Sequence, residues 1–230
     1  MLNKTGMIET ILNGFQLMKS GDNQYCNNDY FATILVNAIS VLLDTATIST
    51  PINSDIGLVG TYSYTGRTLN SAATNCIKLN ETALKASIIA LISSSTISEE
   101  YAFEKGLANC LQTAYSTMVT NAKTSGEYVV PGDPPTYHHA EATPTITSFV
   151  GVPSDIYGRE TEDDLTLPEG LIIFSKRALE LAKSGDALEG FDLLYAQCLA
   201  DCVERFTKHT GCLTLTYTTP VSCVVKPSIS

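Results

Sequence analysis

Three pairs of amphipathic stripes constrain this chain more than any other feature of its sequence. Met7, Ile8, Ile11, Leu12, Phe15 and Met18 recur at helical spacing, and Phe31, Ile34, Leu35, Ala38, Ile39 and Leu42 do so again after a polar break. Leu84, Ile88, Ile89 and Ile92 precede a hydroxyl run. A helix opened by Ser98 follows, carrying Phe103, Leu107, Cys110, Leu111, Ala114 and Tyr115, with Met118 beyond. The third pair is Leu171, Ile172, Phe174, Ala178, Leu179 and Ala182, then Leu188, Phe191, Leu194, Tyr195, Cys198, Leu199, Cys202, Val203 and Phe206. Apolar residues at i, i+3 and i+4 define one face of a helix, so each pair is expected to form an αα-hairpin that buries its stripes in a core.

The turns carry their own signals. Lys-Ser-Gly-Asp occurs at 19–22 and again at 183–186, each time between two stripes. A basic last turn followed by glycine is a helix C-terminal signature. Asn28 or Asp29 is expected to cap the second helix and Ser98 the fourth.

After each hairpin the chain changes character, through Thr45–Asn70, Glu127–Pro153 and Leu213–Tyr217. The Leu/Thr alternation of Leu213–Tyr217 reads as a half-buried strand, with Val221–Val225 as its partner across Thr219-Pro220. Six of the nine prolines fall between Gly126 and Pro168. Proline fixes φ and pushes its predecessor extended, which argues against helix there. This stretch is expected to be an inserted β-element or an arm laid on another subunit. Tyr128, Val130, Tyr137, Ile146, Phe149 and Val150 are its expected subunit contacts. The reading is therefore α+β: helical hairpins forming the core, short Thr-rich β-strands and a long Pro-rich extended arm. Its parts are 1–125, 126–168 and 169–230.

Charge narrows the partners. With 14 basic and 24 acidic residues the net charge is −10, which repels phosphate backbones and anionic lipids, and no basic cluster offsets it. No sequence-specific nucleic-acid binding is expected. The longest mainly apolar stretch, Phe31–Leu43, is too short to span a bilayer, so no membrane is expected either. No signal peptide is legible, and the seven cysteines are read as reduced, mostly buried thiols of a cytoplasmically folded chain.

Candidate chemistry is sparse. Cys198, Cys202, His209 and Cys212 are zinc-ligand types, but they lack the CxxC knuckle. Cys198 and Cys202 equally belong to the apolar stripe of Leu194 and Phe206. No metal or cofactor is assigned. His138-His139 lies near Asp133 and Glu141, yet adjacent residues of an extended chain point to opposite sides. Arg159–Asp164 places four acids in six residues without a calcium-loop spacing, and such a run is expected to stay solvated or to meet a basic patch on a partner. No phosphate loop, nucleophile elbow or HExxH motif is present.

Lys183–Asp186 within a helical hairpin, the Thr-rich Leu213–Tyr217 and the Pro134-Pro135 arm together resemble virion structural proteins of tailed bacteriophages, of the connector, neck or tail-completion type. That resemblance implies a non-enzymatic assembly protein that is made in a host cytoplasm and resides in the virion. Its partners would be copies of itself, in a ring, and neighbouring structural proteins. An acidic wall would let DNA slide through such a ring without sticking. Low charge (17% of residues), 28 Thr and 20 Ser, and the long extended connection fit that class. The alternative is a small cytosolic enzyme whose site is built from scattered residues.

Overall fold

The computed structural model describes residues 2–44, 79–94, 100–117, 151–185 and 190–209. They form α1 (Lys4–Lys19), α2 (Asn28–Leu43), α3 (Glu81–Ile92), α4 (Ala102–Ser116), α5 (Ser154–Tyr157), α6 (Leu171–Ser184) and α7 (Phe191–His209).

Local signals account for most boundaries. Asn3 caps α1 by accepting from the Gly6 amide at 3.0 Å. Asn27, one residue before the expected caps, accepts from Tyr30 at 2.8 Å to start α2. Asn80 accepts from Ala83 to start α3. An Asn side chain satisfies an amide that the first helical turn leaves orphaned. The two turns match through their Ser-Gly pairs. Ser20 and Ser184 donate to the carbonyls of Leu17 and Leu181, at 2.7 and 2.8 Å. Gly21 and Gly185 take φ of +80° and +77°, the left-handed conformation that stops a helix.

The helices close on themselves. α1 packs on α2, α2 on α3, α3 on α4, α4 on α5, α5 on α7, and α7 returns to α1. Met7, Ile11, Leu35, Ile39, Leu42, Leu84, Ile88, Tyr115 and Phe206 fill the interior, each less than 2% exposed. One file of aromatic rings crosses five helices. Phe103 meets Phe31 at 6.3 Å, Phe31 meets Phe15 at 6.3 Å, Phe15 meets Tyr195 at 5.8 Å and Tyr195 meets Phe174 at 5.8 Å. Such pairs add modestly to the burial of their area.

Two expectations are corrected here. The α+β class is not upheld, because every regular element among the described residues is a helix. Threonine-rich alternation is a local preference, and the segments that carry it contribute nothing to the described core. The described core is closed by helix against helix, with no sheet as one of its layers. Leu213–Tyr217 and Val221–Val225 lie outside the described residues, as do Tyr128, Val130, Tyr137, Ile146, Phe149 and Val150.

The second correction concerns the proline-rich connection. Its last part, from residue 151, is neither extended nor detached. Pro153 precedes the single turn α5, whose Ile156 is fully buried and which bridges α4 and α7. Proline is tolerated at the very start of a helix because its missing N–H would have been unpaired there anyway. Gly151 lies against the Phe206 ring so closely that a Cβ would come within 2.0 Å of it. Beyond α5, Gly158 (φ +73°) and Gly170 touch backbone to backbone, and the Arg159 amide donates to the Pro168 carbonyl at 3.0 Å. The chain between them is an Ω-loop, a compact surface loop with its ends in contact.

Helix α4 also begins later than Ser98 predicts. The described helix starts at Ala102, after Tyr101 with φ +60°, while Ser98 lies outside the described residues.

Substitutions test this docking. Gly151→Ala should destabilise the fold by about 1–3 kcal/mol through overpacking against Phe206, and Ile156→Ala by about 2–5 kcal/mol through the cavity it leaves. Urea unfolding followed by circular dichroism measures both. Unchanged midpoints would mean that residues 151–157 do not belong to the core.

Candidate functional site

Three features stand apart from ordinary packing, and all involve α6 or α7.

The first is a clasp. Arg177 of α6 forks between Glu162 and Glu169 of the Ω-loop at 2.9–3.1 Å. Arg159, nearly buried, reaches Glu169 at 2.9 Å and Glu162 at 3.4 Å. Lys105 of α4 pairs with Glu160, and Lys176 donates to the Glu160 carbonyl. Planar guanidinium matches carboxylate in two parallel bonds, which fixes orientation as well as attraction. The Arg177 guanidinium holds the Glu169 carboxyl below its usual range. Glu160 and Glu162 of the acidic run thus face cations of their own chain, while Asp164 turns back on Thr166.

The second feature surrounds Arg205. Its Nη2 donates to the Asp155 carbonyl at 2.7 Å and the Glu169 carbonyl at 3.0 Å, and lies 3.6 Å from Cys202 Sγ. Asp155 Oδ2 is 2.8 Å from His209 Nδ1, and its side chain is only 7% exposed. Burial pushes the Asp155 carboxyl above its usual value of 3.8, and the charges of His209 and Arg205 pull it back. A carboxylate hydrogen-bonded to Nδ1 orients a catalytic imidazole, but Asp155 Oδ2 receives no hydrogen bond, so the contact is an ion pair only. The cavity beside it, about 450 Å³, is lined by Asp201, Glu204, Arg205, Lys208 and His209. It offers no hydroxyl or thiol, and Lys208 is paired to Glu204 at 2.7 Å. Among the described residues the imidazole has no nucleophile to activate.

The candidate metal ligands are separated by this geometry. His209 sits 11 residues beyond Cys198 on the same helix, about 16 Å along its axis, and is engaged by Asp155. Cys198 and Cys202 share one face and one cavity, of about 460 Å³, with Glu169, Gly170, Phe174, Arg177, Asp201 and Arg205. Cys212 lies outside the described residues. Among those described, no group of three or more His, Cys, Asp or Glu could hold a metal ion. Cys26, Cys110, Cys198 and Cys202 are free thiols, and Cys26 is exposed, donating to the Met18 carbonyl at 2.9 Å. The His138-His139 pair is outside the described residues.

The third feature is an apolar surface. Leu171, Ile172 and Ile173 of α6 are buried, but every residue from 179 to 185 is exposed. Consecutive exposure over two turns means that both faces of the helix are bare, so this end of α6 stands clear of the body. Leu179 and Leu181 are 55% and 45% exposed, and Leu193 and Leu194 at the start of α7 are 43% and 52% exposed. The third pair of stripes was expected to be core throughout. It is core only at its base, where α6 meets α7 and α5.

Sequence reasoning passed over Arg205, Asp155 and the α6 tip. Arg205 stands three residues after Cys202 on an apolar stripe, a detectable intrusion of charge. Pro153-Ser-Asp155 is a legible helix start. The buried Glu104, which accepts from Ser175, has no linear signature.

No protein-family model, curated protein or solved structure matches the chain. No helix among the described residues is long and apolar enough to cross a membrane.

The Asp155 site predicts a pH dependence. Since its folded pKa is raised, the stability it contributes is full below 3.8 and is lost as pH rises through the folded value. Asp155→Asn, neutral at every pH, should flatten that slope in unfolding titrations. His209→Ala should move the Asp155 midpoint further up by carbon-13 NMR. A midpoint at or below 3.8 in the parent protein would refute the assignment.

Proposed function

We propose that this chain is a non-enzymatic assembly protein, an oligomeric component of a phage virion such as a head–tail connector, neck or tail element. Its partners are copies of itself and neighbouring structural proteins. The observation that carries the reading is the bare end of the α6–α7 hairpin with its four exposed leucines. A folded core that buries its apolar interior so completely has no internal use for them. Clustered leucines held in water are a mark of a surface that meets another polypeptide. The net charge of −10 fits the same class. Tyr128, Val130, Tyr137, Ile146, Phe149 and Val150 supply a second contact in this proposal, on the proline-rich stretch ahead of residue 151. The alternative of a small enzyme draws on the Asp155–His209 pair alone.

Sedimentation velocity of the full chain over a concentration series tests the proposal. The chain should self-associate, and Leu179→Glu with Leu194→Glu should weaken association at least about 100-fold, since each buried leucine contributes about 1.5–3 kcal/mol. Helical content should not change, nor should the melting temperature at dilutions where the chain is monomeric, because both positions are then in water. A monomer at every concentration, or association untouched by the double substitution, would overturn it.

A further inference from the structure

Cys202 is part of the buried core and Cys198 packs against it, yet the assembly reading gives neither thiol a role. The two residues are one turn apart on α7, and both line the same cavity of about 460 Å³. Both are free thiols on one face of the helix. Arg205 Nη2 stands 3.6 Å from Cys202 Sγ, and Arg177 lines the same cavity. The Tyr195 phenol, one turn before Cys198 near the start of α7, is buried without a hydrogen-bond partner. Side chains four apart on a helix lie on one face with their Cβ atoms about 5–6 Å apart, a span that one ion bonded to both sulfurs can close. Thiolates are soft ligands, and soft acceptors select them over oxygen donors.

We propose that Cys198 and Cys202 form a two-thiolate site for a single soft, thiophilic centre of the monovalent copper or trivalent arsenic class, seated in the cavity beside Arg205. His209 takes no part in it. With copper(I), two Cu–S bonds form, the two S–H protons pass to solvent, and no electron is transferred. With a monosubstituted arsenic(III) oxide, two S–H bonds and the arsenic–oxygen bond break, two As–S bonds form, and the protons leave with the oxygen as water. The guanidinium of Arg205 offsets the negative charge that collects on Cys202. With Arg205 beside it and not beside Cys198, Cys202 is the sulfur whose thiolate the guanidinium favours.

The full-length chain, kept reduced, is titrated with phenylarsine oxide and read by intact mass. In a second arm it competes for copper(I) with a chromogenic chelator. One phenylarsenic group should be retained per chain, and Cys198→Ser or Cys202→Ser should each weaken retention about 100-fold, the usual value of a second linked contact. Cys110→Ser should leave it unchanged, and Arg205→Gln should slow capture without altering the stoichiometry. Circular dichroism melts of each variant identify any that fail to fold, and Cys198→Ala then serves as the second probe. Retention that survives loss of either cysteine, or no retention by the folded parent chain, would overturn the proposal. Capture of arsenic without copper would restrict the site to metalloids and refute its copper arm.

Discussion

The fold depends on one face of α7. Ala196, Leu199, Ala200, Val203 and Phe206 are almost wholly buried, and α7 joins α1 early in the chain to α5 in its later half. The circuit from α1 to α4 has no closure without that helix. Burial of this kind contributes roughly 1.5–3 kcal/mol per large side chain. The ion pairs that run beside it (Lys4 with Asp201 and Glu204, Lys19 with Asp192) lie at the surface, where such pairs are worth about 0–1 kcal/mol. Apolar packing therefore fixes the position of α7, and the charges align it.

Arg205 and the Ω-loop are consequences of that placement. Once Phe206 is seated against Gly151, residue 205 faces the carbonyls of Asp155 and Glu169, and its guanidinium joins the two ends of the connection to α7. Arg177 then has Glu162 and Glu169 within reach, which ties the loop to α6. A stretch rich in proline and acid thus becomes ordered by two arginines that lie far along the chain.

The legibility of this structure in its sequence follows the range of each interaction. Helix periodicity, asparagine caps and both Lys-Ser-Gly-Asp turns are local, and they place α1, α2, α3, α6 and α7 closely. The short α5 was hidden because the prolines around it argue for extended chain, while its helical turn is held by tertiary burial of Ile156. The same limit explains the candidate ligands. Residue type groups His209 with Cys198 and Cys202, although the spacing lacks a CxxC knuckle. In the helix His209 lies about three turns from Cys198 and two from Cys202, with Asp155, more than 50 residues upstream, beside its imidazole. Strand propensity in the Thr-rich segments was equally local evidence, and the described core did not use it. Periodicity likewise marks Leu179 and Leu194 as apolar-face residues, and only the packed structure shows that nothing of the core reaches them.

A chain with a closed helical interior, a clasped loop and a bare leucine-bearing hairpin end is organised to present that end outward. Hydrogen exchange of the full chain at low and at high concentration tests this most directly. The account predicts that amides in 176–185 and 190–195 become protected as concentration rises, while those of the buried stretches in α1, α2 and the later half of α7 exchange alike in both. Equal exchange at the hairpin end in dilute and concentrated samples that do associate would contradict it.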